Sequence, residues 1–213
     1  MMKRKQSGFT LIEIAIVLVI IGLLLGGVLK GQELINSAKV KNLATDFKNV
    51  PVFIYGYQDK FKALPGDDSQ AISHVAATNN GNGNGVIDGI WKPTGLTEET
   101  ATFWQDVRLA GLAPGSTTIA LDTSFLPTNA VGGQIGITSA ANSPISGLKG
   151  SYIVCSDSIP GKFARQLDTT LDDGNTTTGS MMVTDQGTTA VGQAAISLTT
   201  ADDDTPYLVC MGF

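Results

Sequence analysis

Histidine is nearly absent from this sequence: His74 is the only one. A histidine-rich metal site is therefore excluded, and a serine-type triad would hang on one residue in a predicted loop, where a lone histidine is ordinarily a surface group. No Walker-type or dinucleotide-binding glycine motif stands between a strand and a helix. Basic charge is scarce as well. Fourteen Lys and Arg face nineteen Asp and Glu, a formal charge of −5. Without the first eight residues, which hold Lys3, Arg4 and Lys5, eleven against nineteen gives −8. Such a surface repels phosphates, so duplex nucleic acid is not expected to bind through a general basic patch. Lys39, Lys41, Lys48, Lys60 and Lys62 still form a local basic region. The carboxylate runs Asp67-Asp68, Asp172-Asp173 and Asp202 to Asp204 stand beside Gly, Asn or Pro, the setting of solvated turns rather than of general acid–base work. A protein that is not an enzyme is expected.

Cysteine is limited to Cys155 and Cys210. In an exported domain the two read as one disulfide, stabilising by about 2–4 kcal/mol; in a cytosolic one they would be two reduced, buried thiols. Export thus decides between the two readings.

What the sequence has in abundance lies at its start. From Phe9 to Leu29 the residues are almost all apolar, close to the ~20 that cross a bilayer as a helix. Lys3, Arg4 and Lys5 precede the run, which predicts a single pass with the N-terminus in the cytoplasm and everything beyond it outside. A secretory signal has a shorter apolar core followed by a small-residue cleavage site. Here the small residue, Gly8, precedes the apolar run, so cutting after it removes the charges and keeps the helix. The segment also carries Glu13, and a carboxylate alone in hydrocarbon costs at least a few kcal/mol. Cleavage creates a partner for it. A freed α-amino group on Phe9, with an ordinary pKa near 8, is cationic at neutral pH, and opposite charges a few Å apart in low dielectric each lower the penalty of burying the other. Glu13 would meet that amine one turn away or on a neighbouring subunit's helix, as a register key. Alternatively it sits at the membrane interface, where its cost is small.

Gly8-Phe9-Thr10-Leu11-Ile12-Glu13, after a short basic leader and before a long apolar run, resembles the class III signal of type IV pilins and of the pseudopilins of type II secretion. The resemblance covers about the first 35 residues. It implies cleavage after Gly8 by a membrane prepilin peptidase, N-methylation of Phe9, and pairing of Glu13 with the amino terminus of an adjacent subunit. Methylation leaves the amine protonatable. It further implies a homo-oligomeric helical filament, built from subunits held first in the lipid of the bacterial inner membrane with the head in the periplasm, on an assembly platform driven by a separate cytoplasmic ATPase. Pilus subunit and secretion pseudopilin are both open on these residues; a membrane-anchored adhesin or binding protein that never polymerises is the alternative of another class. Pilins often staple their C-terminal region by a disulfide, which the pair Cys155 and Cys210 matches in kind. Many type IV pilins have a proline where this chain has Lys30.

After Leu29 the pattern turns amphipathic. Leu34, Ile35, Ala38, Leu43, Ala44, Phe47, Val50 and Ile54 recur mostly at helical spacing, with charged residues between them, predicting a continuation of the helix whose apolar stripe packs on a globular head. Pro51 should kink it or end it; the breaker Leu64-Pro65-Gly66-Asp67-Asp68 should follow its end near Phe61. The expected layout is leader 1–8, membrane and assembly helix 9–29, amphipathic spine 30–62 and head 63–213.

Within the head, Asn79 to Gly89 has the cadence of a calcium loop: Asn80, Asn82, Asn84 and Asp88 alternate as oxygen donors, Gly85 permits the turn and Val86 can lend a carbonyl. Asparagines stand for the usual carboxylates, however, and Trp91 occupies the place of the bidentate glutamate, so an ion-free Asn/Gly loop is the competing reading. Apart from such calcium no cofactor is expected. Leu96 to Leu112 reads as a helix capped by Thr97 with Trp104 in its buried face, and Ile159 to Leu171 as a short helix with Pro160 near its start. Strands are expected at Thr117–Leu121, Gln134–Thr138, Ser151–Cys155, Met181–Thr184, Ala195–Leu198 and Tyr207–Met211. The fold class is α+β, a long N-terminal spine helix packed against an antiparallel sheet.

Overall fold

In the computed structural model, which describes residues 10–120 and 125–213, the first element is one helix, α1 (Leu11–Phe61). It runs through Pro51, so the residues after the proline are no separate helix. It stops where Lys62 adopts left-handed backbone, φ 57°, just before Leu64-Pro65-Gly66. The chain divides into two compact units, Met1–Ala38 and Lys39–Phe213. In the first, every residue from Thr10 to Lys30 is exposed. In the second, α1 buries Val40, Leu43, Ala44, Phe47, Val50, Ile54 and Tyr57, one stripe at helical spacing. Leu34, Ile35 and Ala38, expected to share that stripe, are exposed and belong to the first unit.

The head continues with α2 (Ala71–Val75), α3 (Glu99–Leu109), β1 (Ile135–Ser139), β2 (Tyr152–Pro160), α4 (Gly161–Leu171), β3 (Met181–Asp185) and β4 (Pro206–Gly212). The four strands form an antiparallel sheet in the order β1-β2-β4-β3. This is the expected α+β layout. Period-two alternation gives the sheet two buried faces. Val154, Met181, Val183, Tyr207 and Val209 join the stripe of α1, Phe103 and Val107 of α3, and Phe163 and Leu167 of α4 in the main core. Ile153, Cys155, Met182, Leu208 and Cys210 point the other way, under Trp91, Ile145 and Leu148 from loops. Gly136 of β1 permits this cover: a Cβ there would lie 1.8 Å from the Trp91 carbonyl oxygen.

Several boundaries differ from expectation, each for a local reason. No strand forms over residues 117–120 or 195–198, and Leu121 lies outside the described residues. Ile119, Ala120, Ile196 and Leu198 pack on the core singly from irregular chain. Helix α3 starts at Glu99 rather than Leu96, and Thr97 does not cap it. The preceding turn is held instead by Glu98, whose Oε1 accepts the N–H groups of Thr94 and Gly95 at 2.9 and 2.6 Å.

Candidate functional site

The helix start of α1 is built by Thr10 and Glu13. Glu13 Oε2 accepts the Thr10 N–H at 2.8 Å and the Thr10 hydroxyl at 2.7 Å, while Thr10 Oγ1 accepts the Glu13 N–H at 3.3 Å. This is a reciprocal capping box, with the carboxylate at the positive end of the helix dipole. Its sequence signal is Thr-x-x-Glu in Thr10-Leu11-Ile12-Glu13, which overlaps the residues that resemble a processing signal. Among the described residues, Glu13 Oε1 accepts no hydrogen bond, so one oxygen is left for another donor. Gly8 and Phe9 lie outside the described residues. From Leu11 to Leu29, fourteen Leu, Ile and Val side chains are exposed, from 46% to 93%. Burying each is worth about 1.5–3 kcal/mol. The surface therefore demands lipid or other apolar helices, and this is the one described helix long and apolar enough to cross a membrane.

In the head, Asp67 and Asp68 follow the spine helix and are buried, at 4% and 2% exposure, not solvated as expected. Asp68 Oδ2 takes the Tyr57 hydroxyl at 2.8 Å and His74 Nδ1 at 2.6 Å, joining α1 to α2. His74 is thus half-buried and bonded rather than a free surface group, with Phe61 stacked on its ring. Nearby Asp106 accepts the Gly66 N–H at 2.8 Å. Burial pushes Asp106 up to about 7, the Gly66 bond opposing and the Asp68 charge adding to the rise. Burial, followed by the Asp106 charge, also raises Tyr57, keeping its hydroxyl a donor.

Asp67 organises the Asn/Gly loop. Its Oδ1 accepts the N–H groups of Gly83 and Asn84 at 2.6 and 3.0 Å and its Oδ2 that of Gly85 at 2.7 Å. Gly83 and Gly85 have φ of 75° and 86°, so successive amides face one anion, a backbone nest. Glu99 accepts the N–H groups of Asn82 and Asp88, 2.9 and 2.8 Å away, and burial raises its pKa. Of the candidate calcium ligands, Asn82 and Asn84 come together at Asp88 Oδ2, each donating its amide at 2.9 Å. The oxygens of Asn80, Asn82 and Asn84 accept the backbone N–H groups of Ile72, Asn84 and Val86. The sequence signal missed here was the run of loop amides, which calls for an acid from elsewhere in the chain.

Cys155 and Cys210 are bonded to each other. They face one another in the register of β2 and β4, within the smaller core.

Residues 3–29 match the family model described as the prokaryotic N-terminal methylation motif. The chain thus carries the class III signal of type IV pilins and pseudopilins, ahead of a pilin-like α+β layout. Neither a comparison with curated proteins nor one with solved structures gave a match.

Proposed function

We propose that this protein is a structural subunit of a type IV filament, a pilin or pilin-like protein, without enzymatic activity. Prepilin peptidase cleaves it after Gly8, Phe9 is N-methylated, and the helix from Phe9 to Leu29 holds it in the bacterial inner membrane, N-terminus inside and head in the periplasm. The assembly platform then moves it from lipid into a helical homo-oligomer. The observation that carries this reading is the methylation signal joined to a helix whose apolar surface is exposed among the described residues. Packing such helices head-to-tail covers that surface, and a contact that does not close on itself generates a fibre. Glu13 keeps the register by pairing with the amino terminus of the adjacent subunit, a charge pair that lets both groups leave water. A long, polar, loop-rich head favours a pilus subunit over a secretion pseudopilin.

The test is intact-mass analysis of the protein from membranes and from sheared surface fibres. A chain beginning with N-methylated Phe9, present in the fibres, is expected. A membrane protein that keeps Lys3-Arg4-Lys5 and is absent from fibres would instead identify a non-polymerising anchored adhesin.

A further inference from the structure

We propose that the junction of α4 and β3 is a calcium site whose ligands are the carboxylates of Asp168, Asp172 and Asp173. Oxygens of the three side chains lie within 4.8 Å of one another. Asp168 is completely buried, 0% exposed, and among the described residues neither of its oxygens has a hydrogen-bond partner. The amides of Gly174 and Asn175 are near enough to oppose the rise that burial imposes on its pKa, yet neither bonds it. A buried carboxylate without a partner is costly, and here two more acids surround it.

The place in the helix sharpens the problem. Asp168 sits in the last turn of α4, and Asp172 and Asp173 directly follow it, where the helix dipole is negative and favours cations. The last turn contains no basic residue. Among the described residues the ion pairs of Lys162 and Arg165, on the same helix, go to Asp204 and Asp203, and none reaches these three acids. One divalent cation would answer the buried oxygens, the mutual repulsion and the dipole together.

Chemistry selects the ion. The donors are all carboxylate oxygens; both cysteines are in the disulfide and the single histidine is bonded to Asp68, so soft-ligand metals have no purchase. Oxygen ligands drawn from a helix end and the loop after it, in irregular arrangement, suit calcium better than magnesium, and extracellular calcium sites work at about 0.1–1 mM. The structural effect follows from Asp172, whose Oδ2 also accepts the N–H groups of Ser180 and Met181 at 2.6 and 2.8 Å. An ion on this carboxylate would fasten the end of α4 to the first residue of the edge strand β3.

The experiment is thermal unfolding of the full-length protein in detergent micelles, stripped with EDTA and then titrated with calcium chloride or magnesium chloride, read by the fluorescence of buried Trp91 and Trp104. Calcium is expected to raise the midpoint by about 5 °C at saturation, with half the effect near 0.1–1 mM, and magnesium by less. Asp173→Asn changes an exposed side chain, keeps an acceptor for the Asn175 N–H, and can donate its amide to the Thr178 hydroxyl that now bonds the second carboxylate oxygen at 2.7 Å. It should leave the EDTA midpoint unchanged or higher and abolish the calcium response. Asp88→Asn, in the Asn/Gly loop, should leave the response intact. No calcium shift in the wild type, an equal shift in Asp173→Asn, or a shift lost in Asp88→Asn would each overturn the proposal.

Discussion

The two units of this chain solve opposite problems with the same kinds of residue. In the stem, Leu, Ile and Val face outward along the whole helix from Leu11 to Leu29. In the head, Leu43, Phe47 and Ile54 of the same α1 are at most 1% exposed, under α3 and the sheet. One unit buries its apolar residues in its own fold; the other leaves them exposed among the described residues, a surface that the proposed function covers with lipid or neighbouring helices. Hydrophobicity alone therefore does not separate core from interface. What separates them is whether polar groups supply fixed geometry nearby, as Asp67, Asp68 and Asp106 do at the C-terminal end of the head's helix stripe.

Paired truncations give the largest expected contrast. Leu43→Ala should destabilise the head by about 2–5 kcal/mol through lost transfer energy and a cavity, whereas Leu23→Ala should leave head unfolding within about 0.5 kcal/mol and reduce assembled fibre instead. Denaturant unfolding of the head signal and fibre yield, measured on both variants, check the pair; equal effects on head stability would erase the distinction. Next in size is the staple. Cys155→Ala with Cys210→Ala should cost about 2–4 kcal/mol of head stability, read in the same denaturant assay, with no effect on membrane insertion of the stem.

A smaller effect separates the units by pH. Asp106 binds its proton more tightly folded, near 7, than unfolded, near 3.8. Its contribution is complete below about pH 4 and declines as pH rises through 7, because the unfolded state then releases its proton more readily. The slope from this group is at most about 1.4 kcal/mol per pH unit. Asp106→Asn keeps an acceptor for the Gly66 N–H and should flatten the stability profile between pH 4 and 7 relative to the wild type. Parallel profiles would show that the proton on Asp106 has no part in holding the head.

The stem was largely legible in the sequence because its signals are local, a glycine, an acid and an apolar run in fixed order; the Thr10-x-x-Glu13 cap of the helix start is equally local but is hidden within that signal. The spine's end at Phe61 and strands β1 to β4 were legible too, since periodicity and breakers act within a few residues. The head's polar architecture was not. Asp67 is found by amides sixteen to eighteen residues away, Asp68 is shared between Tyr57 and His74, and Asp168 is buried by packing of α4 on the sheet. The neighbouring Pro65 and Gly66 made Asp67 and Asp68 look like solvated turn residues, and only tertiary contact reverses that. Residues 195–198 erred the opposite way: their apolar side chains are docked, but from irregular backbone with no ladder.

In the proposed filament the charge of Glu13, not its capping of α1, sets the register on which assembly depends. Glutamine also completes a capping box, so Glu13→Gln preserves the helix start and removes only the charge, whereas Glu13→Ala removes both. Filament yield from cells carrying each variant, with cleavage verified by intact mass, tests this most directly. The account predicts normal processing and a comparable loss of filaments in both variants. Filaments at wild-type yield from Glu13→Gln would contradict it.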